Sequence, residues 1–262
     1  MDRVLVDLGF MKIYWYSFTM FLGVLIGIIV AYIEIKRKKM DTSKFENMAF
    51  YAILFGFIGA RLYYVLFNLD YYLKEPVEIV KVWNGGLAIH GGIIGAIIAI
   101  YFFCRKEKWN IIEILDICAP ALIIGQVIGR WGNFFNSEAH GGVVTRAFLE
   151  SLHLPKFIID GMYIDGVYYH PTFLYESLLN FICFIVLMIL RRNKKIHIGT
   201  ISGIYLMWYS VVRFFVESLR TDSLMLGSLR MAQVISIVLF IGGLGLLIYG
   251  LKKDKYNKEV VK

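Results

Sequence analysis

Seven stretches of about twenty mostly apolar residues divide the chain, and each has the length of a helix that crosses the hydrocarbon core of a bilayer. They cover residues 14–33, 48–67, 86–103, 111–131, 172–190, 200–219 and 231–250. With 262 residues, 58% hydrophobic content and only 18% charge, the chain is too apolar for a soluble domain of this size. The sequence therefore predicts an all-α polytopic membrane protein, with seven transmembrane helices in a single integral membrane domain over residues 1–262.

The basic residues between these stretches predict an orientation. Seventeen Lys and Arg residues follow the first, third, fifth and seventh spans, and eight lie on the opposite side. Because Lys and Arg accumulate in cytoplasmic loops, we expect the C-terminus in the cytoplasm and the N-terminus outside. The same clusters explain the net charge of +8, so nucleic acid is not an expected partner. The first span has neither a basic start nor a small-residue cleavage site, and we expect it to stay attached.

The longest connection, residues 132–171, follows the fourth span and is therefore predicted to lie outside. It contains Asp160-Gly161 and Asp165-Gly166, flanked by Ile, Tyr and Val residues. This pattern is typical of tight turns between short strands. We expect a small extracytoplasmic cap with short β-hairpins between helices 4 and 5. Three glycine pairs with a spacing of four would let helices pack closely, namely Gly23 with Gly27, Gly91 with Gly95, and Gly125 with Gly129.

Polar residues of the spans collect at their predicted outer ends. Ionisable side chains are costly inside a membrane, and their default interpretation is a functional site. The set comprises Tyr16, Arg61, His90, Arg130, His170, Tyr175, Glu176, Tyr209, Arg213, Glu217 and Arg220. The last four of these residues are spaced by four, four and three positions. They are therefore predicted to share one helical face.

The sequence GRWGNFFNSEAHGG, residues 129–142, places an arginine and three polar residues at the end of an apolar span. These are Arg130, Asn133, Asn136 and Glu138. Arg130 either belongs to a functional site or is an anchor whose guanidinium reaches the headgroups. At the outer ends four arginines face three glutamates, which leaves one positive charge for a phosphodiester to meet. Alternatively, Arg213 and Glu217 simply pair at i and i+4 to join two helices.

His90 stands in GGLAIHGG, where the neighbouring glycines would let a lipid or another backbone approach. It is either a structural group or a catalytic base, for which its free pKa near 6.5 is suitable. His140, His153 and His170 do not have the spacing of a zinc site. We therefore expect no metal, nucleotide or other cofactor.

Together these segments resemble the prolipoprotein diacylglyceryl transferases, a family of bacterial inner-membrane enzymes. The family signature, Gly-Arg-any-Gly-Asn-Phe-apolar-Asn-any-Glu-any-any-Gly, is met at every fixed position of residues 129–141. Three further segments agree with the family, namely GGLAIHGG at 85–92, HPTFLYES at 170–177 and RFFVESLRTD at 213–222. The resemblance extends from the second span to the sixth, while the first and last spans match mainly in length and hydrophobicity.

The resemblance implies transfer of the diacylglyceryl group of phosphatidylglycerol to the lipobox cysteine of a prolipoprotein. This reaction forms a thioether, releases glycerol phosphate and begins bacterial lipoprotein maturation, at the outer leaflet of the cytoplasmic (inner) membrane. The resemblance assigns catalytic roles to His90, Arg130 and Arg213, and lipid contacts to Tyr16, Asn133 and Gly141. Further substrate contacts are expected from Arg61, Asn136, Glu138, Glu176, Tyr209, Glu217 and Arg220.

The chemistry suggests a role for each catalytic residue. A free thiol has a pKa near 8.5, so we hypothesise that His90 removes its proton while Arg130 and Arg213 stabilise the leaving phosphate. A phospholipid-binding transporter or flippase is the main alternative, but it would place its site at midmembrane between repeats or broken helices. An intramembrane protease using Ser202 would need a base within hydrogen-bond reach, and His197 is the only histidine nearby in the sequence.

Overall fold

The computed structural model describes residues 3–9, 12–227 and 229–252, together with the backbone alone at Asn84 and Leu226. The lysines beyond residue 252 that contributed to the charge count lie outside the described residues. Ten α-helices are found in this part of the chain. They are α1 (Trp15–Arg37), α2 (Thr42–Phe67), α3 (Leu69–Lys74), α4 (Ile89–Glu107), α5 (Ile111–Asn136), α6 (Arg146–Ser151), α7 (Lys156–Gly161), α8 (Thr172–Leu190), α9 (Thr200–Leu219) and α10 (Met231–Lys252). Two 3₁₀ helices, Pro76–Val80 and Val82–Asn84, precede α4.

Six of the described helices are long and apolar enough to cross a membrane, namely α1, α2, α4, α5, α8 and α10. This confirms the prediction of a mostly helical, polytopic membrane protein. A seventh helix, α9, occupies the predicted sixth span but carries too much polar surface to qualify on composition. That α9 also crosses the membrane stays a prediction.

The bounds of the helices follow local chemistry. α8 and α9 begin and end at the predicted residues, directly after Pro171 and Gly199. The predicted third span begins at residue 86, whereas α4 begins at Ile89, because Gly85 and Gly86 have positive φ angles of 86° and 80° that do not belong to an α-helix. α1, α2, α5 and α10 extend past their predicted apolar stretches by a few residues, and α4 does so at its C-terminal end.

The described chain divides into two compact units. The larger unit comprises the residues up to Ala31 and from Leu115 onward, and the smaller comprises Tyr32–Ile114. The single domain over residues 1–262 stays a prediction.

Glycines hold the helices of the smaller unit at close range. α2 packs on α4, and a Cβ atom added to Gly91 would lie 2.2 Å from the carbonyl oxygen of Gly59. A Cβ atom on Gly95 would lie 2.2 Å from the oxygen of Phe55. The predicted packing role of this glycine pair is thus confirmed, because no side chain fits at either position.

Similar contacts order the larger unit. A Cβ atom on Gly23 of α1 would lie 3.0 Å from the oxygen of Gly125 on α5, in agreement with the prediction for these glycines. Between α9 and α10, a Cβ atom on Gly203 would lie 2.8 Å from the oxygen of Gly243. This close approach lets the polar helix α9 share a long interface with the apolar helix α10.

Between α5 and α8 the chain forms a small folded segment rather than hairpins alone. β3 (Val143–Val144), β4 (Tyr163–Ile164) and β5 (Val167–Tyr169) form an antiparallel sheet in the order β3-β5-β4. Asp165-Gly166 forms the turn from β4 to β5, with positive φ at both residues. The prediction of a second turn at Asp160-Gly161 is wrong, because these residues end α7, whose Ile158 and Ile159 are buried in the core of the segment.

Two further hairpins lie near the ends of long helices in the larger unit. β1 (Val4–Asp7) pairs with β2 (Lys12–Tyr14) directly before α1. β6 (Met225–Leu226) pairs with β7 (Leu229–Arg230) directly before α10. Both pairs are antiparallel.

Candidate functional site

A buried carboxylate on α8 joins two arginines from two other helices. Glu176 is 2% exposed, and its Oε2 lies 2.7 Å from Arg130 Nε on α5. Arg213 Nη1 on α9 donates to the other oxygen, Oε1, at 3.2 Å. Arg213 Nη2 lies 2.7 Å from Oε2 of Glu217, which is also 2% exposed. We call Arg130, Glu176, Arg213 and Glu217 the ion network.

The positions of these residues along their helices explain why they meet. Arg130 lies near the end of α5, Glu176 lies in the second turn of α8, and Arg213 lies in the second half of α9. The sequence also allows Arg213 and Glu217 to form a simple i, i+4 ion pair, and this contact exists. It is one edge of a larger network, however, since Arg213 also binds Glu176.

The surplus of one positive charge, which was predicted over four arginines and three glutamates, does not lie in this network. Two guanidinium groups face two buried carboxylates, so the group of four is neutral as it stands. Of the other two arginines in the count, Arg220 pairs with Asp222 and Arg61 binds backbone carbonyls. Neutrality explains how so many charges can be buried together, because an unpaired buried ion is far more costly.

Arg130 retains donors that the protein does not use. Its Nε faces Glu176, and its Nη1 makes one long hydrogen bond, 3.5 Å, to Asn133 Oδ1. Within the described residues no hydrogen bond is made by Nη2. The Arg130 side chain is 20% exposed, so this edge of the guanidinium is accessible to an anion.

The signature sequence folds into the end of α5 and a turn around Glu138. Asn133 Nδ2 donates to Glu138 Oε1 at 3.0 Å, and Asn136 Nδ2 lies 3.5 Å from Oε2. The Glu138 backbone N–H donates to the Asn133 oxygen at 3.0 Å, which closes the turn. A small pocket adjoins it, lined by Asn133, Glu138 and His140 together with apolar side chains that include Phe134 and Phe173. The turn thus brings Asn133, Asn136 and Glu138 together, and their role in substrate binding stays a prediction.

Gly141 occupies a position where no other residue fits. A Cβ atom there would lie 2.6 Å from His170 Cβ and 3.1 Å from the oxygen of Leu219. The Gly141 N–H donates to the His170 oxygen at 3.0 Å, and Gly141 forms a β-bridge with Arg220. The contacts of Gly141 therefore connect the signature turn to the start of α8 and to the end of α9.

Arg220 does not share the helical face predicted for it. α9 ends at Leu219, and Arg220 follows in an extended conformation with φ −76° and ψ 145°. Its guanidinium donates to both carboxylate oxygens of Asp222, at 2.9 and 2.8 Å. This contact holds the pKa of the Asp222 carboxyl below its usual range. The turn after α9, rather than its face, determines the direction of Arg220.

The two predicted tyrosines lie on α1 and α9. Tyr16, in the first turn of α1, packs against Gly132, where an added Cβ would lie 3.0 Å from Tyr16 Cδ2. Its phenol is within electrostatic reach of Glu138 and Arg130. On α9, the Tyr209 ring stacks on Tyr205, with 6.2 Å between ring centroids.

The smaller unit contains the other two predicted residues, His90 and Arg61. His90 is the second residue of α4, is exposed, and has its ring centroid 6.1 Å from that of Tyr63. Arg61 on α2 is 7% exposed and donates to four backbone carbonyls. A role of Arg61 in substrate binding stays a prediction.

Two aspartates were missed by the sequence reasoning. Asp222 pairs with Arg220, although it lies in the family segment at residues 213–222. Asp116 is 6% exposed near the start of α5 and accepts hydrogen bonds from the backbone N–H groups of Gly199 and Ser202, at 2.7 and 2.8 Å. An acidic residue inside an apolar span was the available signal for Asp116. It caps the first turn of α9.

Fold and site together define a class. This is a multi-pass membrane protein in which three helices present a neutral arginine–carboxylate network with guanidinium donors to spare, an arrangement suited to an anionic lipid headgroup. A family model described as prolipoprotein diacylglyceryl transferase matches residues 3–249, and the chain belongs to this family.

Curated relatives support the same assignment. The chain is 49% identical to a Staphylococcus aureus protein (strain MSSA476) over 257 residues, which cover 98% of this chain and 91% of the relative. It is 47% identical to a Staphylococcus haemolyticus protein (strain JCSC1435) over 262 residues, covering 100% and 92%. Both relatives are named phosphatidylglycerol–prolipoprotein diacylglyceryl transferase.

Proposed function

We propose that this protein transfers the diacylglyceryl group of phosphatidylglycerol to the lipobox cysteine of a prolipoprotein. The names of its relatives and its membership of the transferase family support this activity. In the reaction, the cysteine sulfur forms a C–S bond to the glycerol carbon. The C–O bond to phosphate breaks with its electron pair on oxygen, so glycerol phosphate leaves as an anion and the thiol proton goes to a base.

The single observation that carries the proposed site is the unused guanidinium edge of Arg130, which belongs to the ion network. Glu176 orients Arg130 and Arg213 together, so a lipid phosphate would meet donors that are already in place. The leaving phosphate gains negative charge as the C–O bond breaks, so donors aimed at it stabilise the transition state more than the bound lipid. Asn133, Asn136 and Glu138 would hold the turn from which glycerol oxygens are contacted, with Tyr16, Tyr209, Gly141, Glu217 and Arg220 completing the binding region.

His90 is the proposed general base. Its exposure on the first turn of α4 is compatible with proton transfer to a bound thiol. The substitution His90→Gln removes the base while keeping a polar side chain of similar size. We expect it to lower the transfer rate by about 100-fold or more, whereas a wild-type rate would exclude His90 from this role.

We further propose seven membrane crossings, with α9 as the sixth, the N-terminus outside and residues 132–171 as an extracytoplasmic cap. The active site would then face the outer leaflet of the bacterial cytoplasmic membrane. In a variant without Cys104, Cys118 and Cys183, single cysteines at Asn193 and Thr221 flank α9 and can be labelled with an impermeant maleimide in intact cells. Labelling at residue 221 alone is expected, and equal labelling of both positions would contradict a crossing by α9.

The activity is tested by mass spectrometry of a synthetic lipobox peptide incubated with the purified protein and phosphatidylglycerol in detergent. We expect a gain of one diacylglyceryl group on cysteine. The variant Arg130→Lys keeps the charge but loses the planar fork, so transfer should fall by about 100-fold or more. If the folded, lipid-bound wild-type protein gives no product, the alternative of a phospholipid-binding transporter or flippase is favoured, because detergent abolishes any gradient but not covalent chemistry.

A further inference from the structure

Arg61 is buried in the smaller unit with its guanidinium directed at the backbone of a loop. Its Nε donates to the oxygen of Ile79 at 2.9 Å, and its Nη2 donates to the oxygen of Glu78 at 2.6 Å. Its Nη1 donates to the oxygens of Gly85 and Gly86, at 2.7 and 2.8 Å. Four of the five N–H donors of an arginine are thereby used on main-chain carbonyls. The guanidinium also lies over the ring of Tyr72, 5.3 Å from its centroid.

The loop held by Arg61 leads directly into the turn that carries His90. The N–H of Ala88 donates to the oxygen of Ala60 at 3.0 Å, one residue before Arg61. Ala88 is the N-cap residue of α4 and has no side chain that could cap the helix. The first turn of α4 therefore depends on backbone contacts for its position.

Glycines make this arrangement specific. Gly86 has a φ of +80°, and a Cβ atom there would lie 2.6 Å from Arg61 Nη1 and 2.7 Å from the ring of Tyr64. On the other side of His90, Gly91 touches the oxygen of Gly59. His90 is thus held between two contacts with one turn of α2, and Arg61 secures the loop on the N-terminal side.

We infer that Arg61 is a positioning residue that acts through the backbone of residues 78–88 to hold His90, rather than a residue that contacts the lipid. The inference rests on the proposed function for the role of His90. With four donors occupied and 7% of its surface exposed, Arg61 has little capacity left for a phosphate. Without Arg61, four carbonyl oxygens lose a charged donor, and the loop that ends at His90 loosens.

The kinetic test separates positioning from lipid binding. Arg61→Met should lower kcat on the order of 100-fold, as expected when a catalytic group is misplaced by about 1 Å. The KM for phosphatidylglycerol should stay unchanged, and the variant should lose no further activity when combined with His90→Gln. A raised KM would overturn the inference and make Arg61 a lipid ligand. Losses that multiply in the double variant would also overturn it, because Arg61 would then act independently of His90.

Amide hydrogen exchange of the full-length protein in detergent gives a readout independent of activity. Exchange in residues 78–90 should accelerate in Arg61→Met while that of α8 and α9 stays as in the wild type. Unchanged exchange at 78–90 would contradict the positioning role. If the wild-type protein transfers no lipid, the proposed function fails, but this measurement still decides whether Arg61 orders the loop.

A pair of glycine variants provides a matched control. Gly85 and Gly86 both have a positive φ, so replacement by Ala strains both backbones. Only at Gly86 does the new Cβ meet Arg61 and Tyr64, because nothing lies within 4 Å of a Cβ at Gly85. Gly86→Ala should therefore reproduce the kcat loss of Arg61→Met, and Gly85→Ala should lose less. Equal losses would indicate that backbone strain, and not displacement of the guanidinium, disturbs His90.

Discussion

Replacing Glu176 with Gln tests whether a buried carboxylate holds the two arginines of the ion network. The two side chains have nearly equal volume, so the change removes charge rather than packing. Glu176 faces Arg130 Nε at 2.7 Å and Arg213 Nη1 at 3.2 Å, and glutamine leaves both guanidinium groups with one fewer counter-charge. Its amide NH₂ group must also face one of these two donors.

Removal of one partner from a buried ion pair costs about 3–5 kcal/mol, because the remaining charge stays buried. For a protein of this size, that loss lowers the melting temperature on the order of 10 °C. We therefore expect Glu176→Gln to melt at a lower temperature in detergent, and to lose transferase activity on the order of 100-fold because Arg130 and Arg213 are no longer oriented together.

Glu150 is a matched control for this experiment. It also pairs with an arginine, Arg146, at 2.8 Å, but both side chains are about half exposed. Exposed pairs of this kind contribute about 0–1 kcal/mol, so Glu150→Gln should retain the stability and activity of the wild type. The reasoning would be refuted if Glu176→Gln behaved like Glu150→Gln in both measurements.

Two further predictions concern packing and pH. Gly91→Ala should lower the melting temperature in detergent, since the new Cβ would lie 2.2 Å from the Gly59 oxygen. The control variant Gly92→Ala should be tolerated, because its Cβ would lie 3.5 Å from the nearest atom. Equal melting temperatures of the two variants would contradict this packing. The Arg220 contact lowers the pKa of Asp222 in the folded state, so its stabilisation is complete above the unfolded pKa and is lost as the pH falls through the lower folded value. Below about pH 4, the melting temperature of Asp222→Asn should therefore fall less with decreasing pH than that of the wild type. If the melting temperatures of both proteins fell in parallel, the pair would contribute nothing to stability.

The sequence predicts the long helices better than it predicts the segments that connect them. The apolar stretches locate α8 and α9 at their observed bounds. The proline before α8 and the glycine before α9 mark where each helix begins. The start of α4 required the positive φ angles of Gly85 and Gly86, which a hydrophobic pattern does not contain. Likewise, Asp160-Gly161 has turn chemistry, but the burial of Ile158 and Ile159 favours a helix there.

The site was predictable in its depth and not in its contacts. Counting residues along each span shows that Arg130, Glu176 and Arg213 lie near the same end, at about 1.5 Å per position. Which partner each one takes depends on the rotation of the helices about their axes. The buried cluster that α5, α8 and α9 share, which includes Ile123, Leu187 and Ile201, fixes that rotation and gives Glu176 the bridging position that charge counting could not assign.

α9 illustrates why hydropathy underestimates the helices that matter most for a membrane site. Arg213 and Glu217 make it too polar to qualify as a span alone, yet both are paired within the larger unit. Asp116 near the start of α5 caps the start of α9, and Arg130 near the end of α5 shares Glu176 with Arg213. The start of α9 is thus linked directly to α5, and its second half is linked to α5 through Glu176 of α8. Since α5 is long enough to cross the bilayer, these links at the two ends of α9 support the proposal that α9 is the sixth crossing.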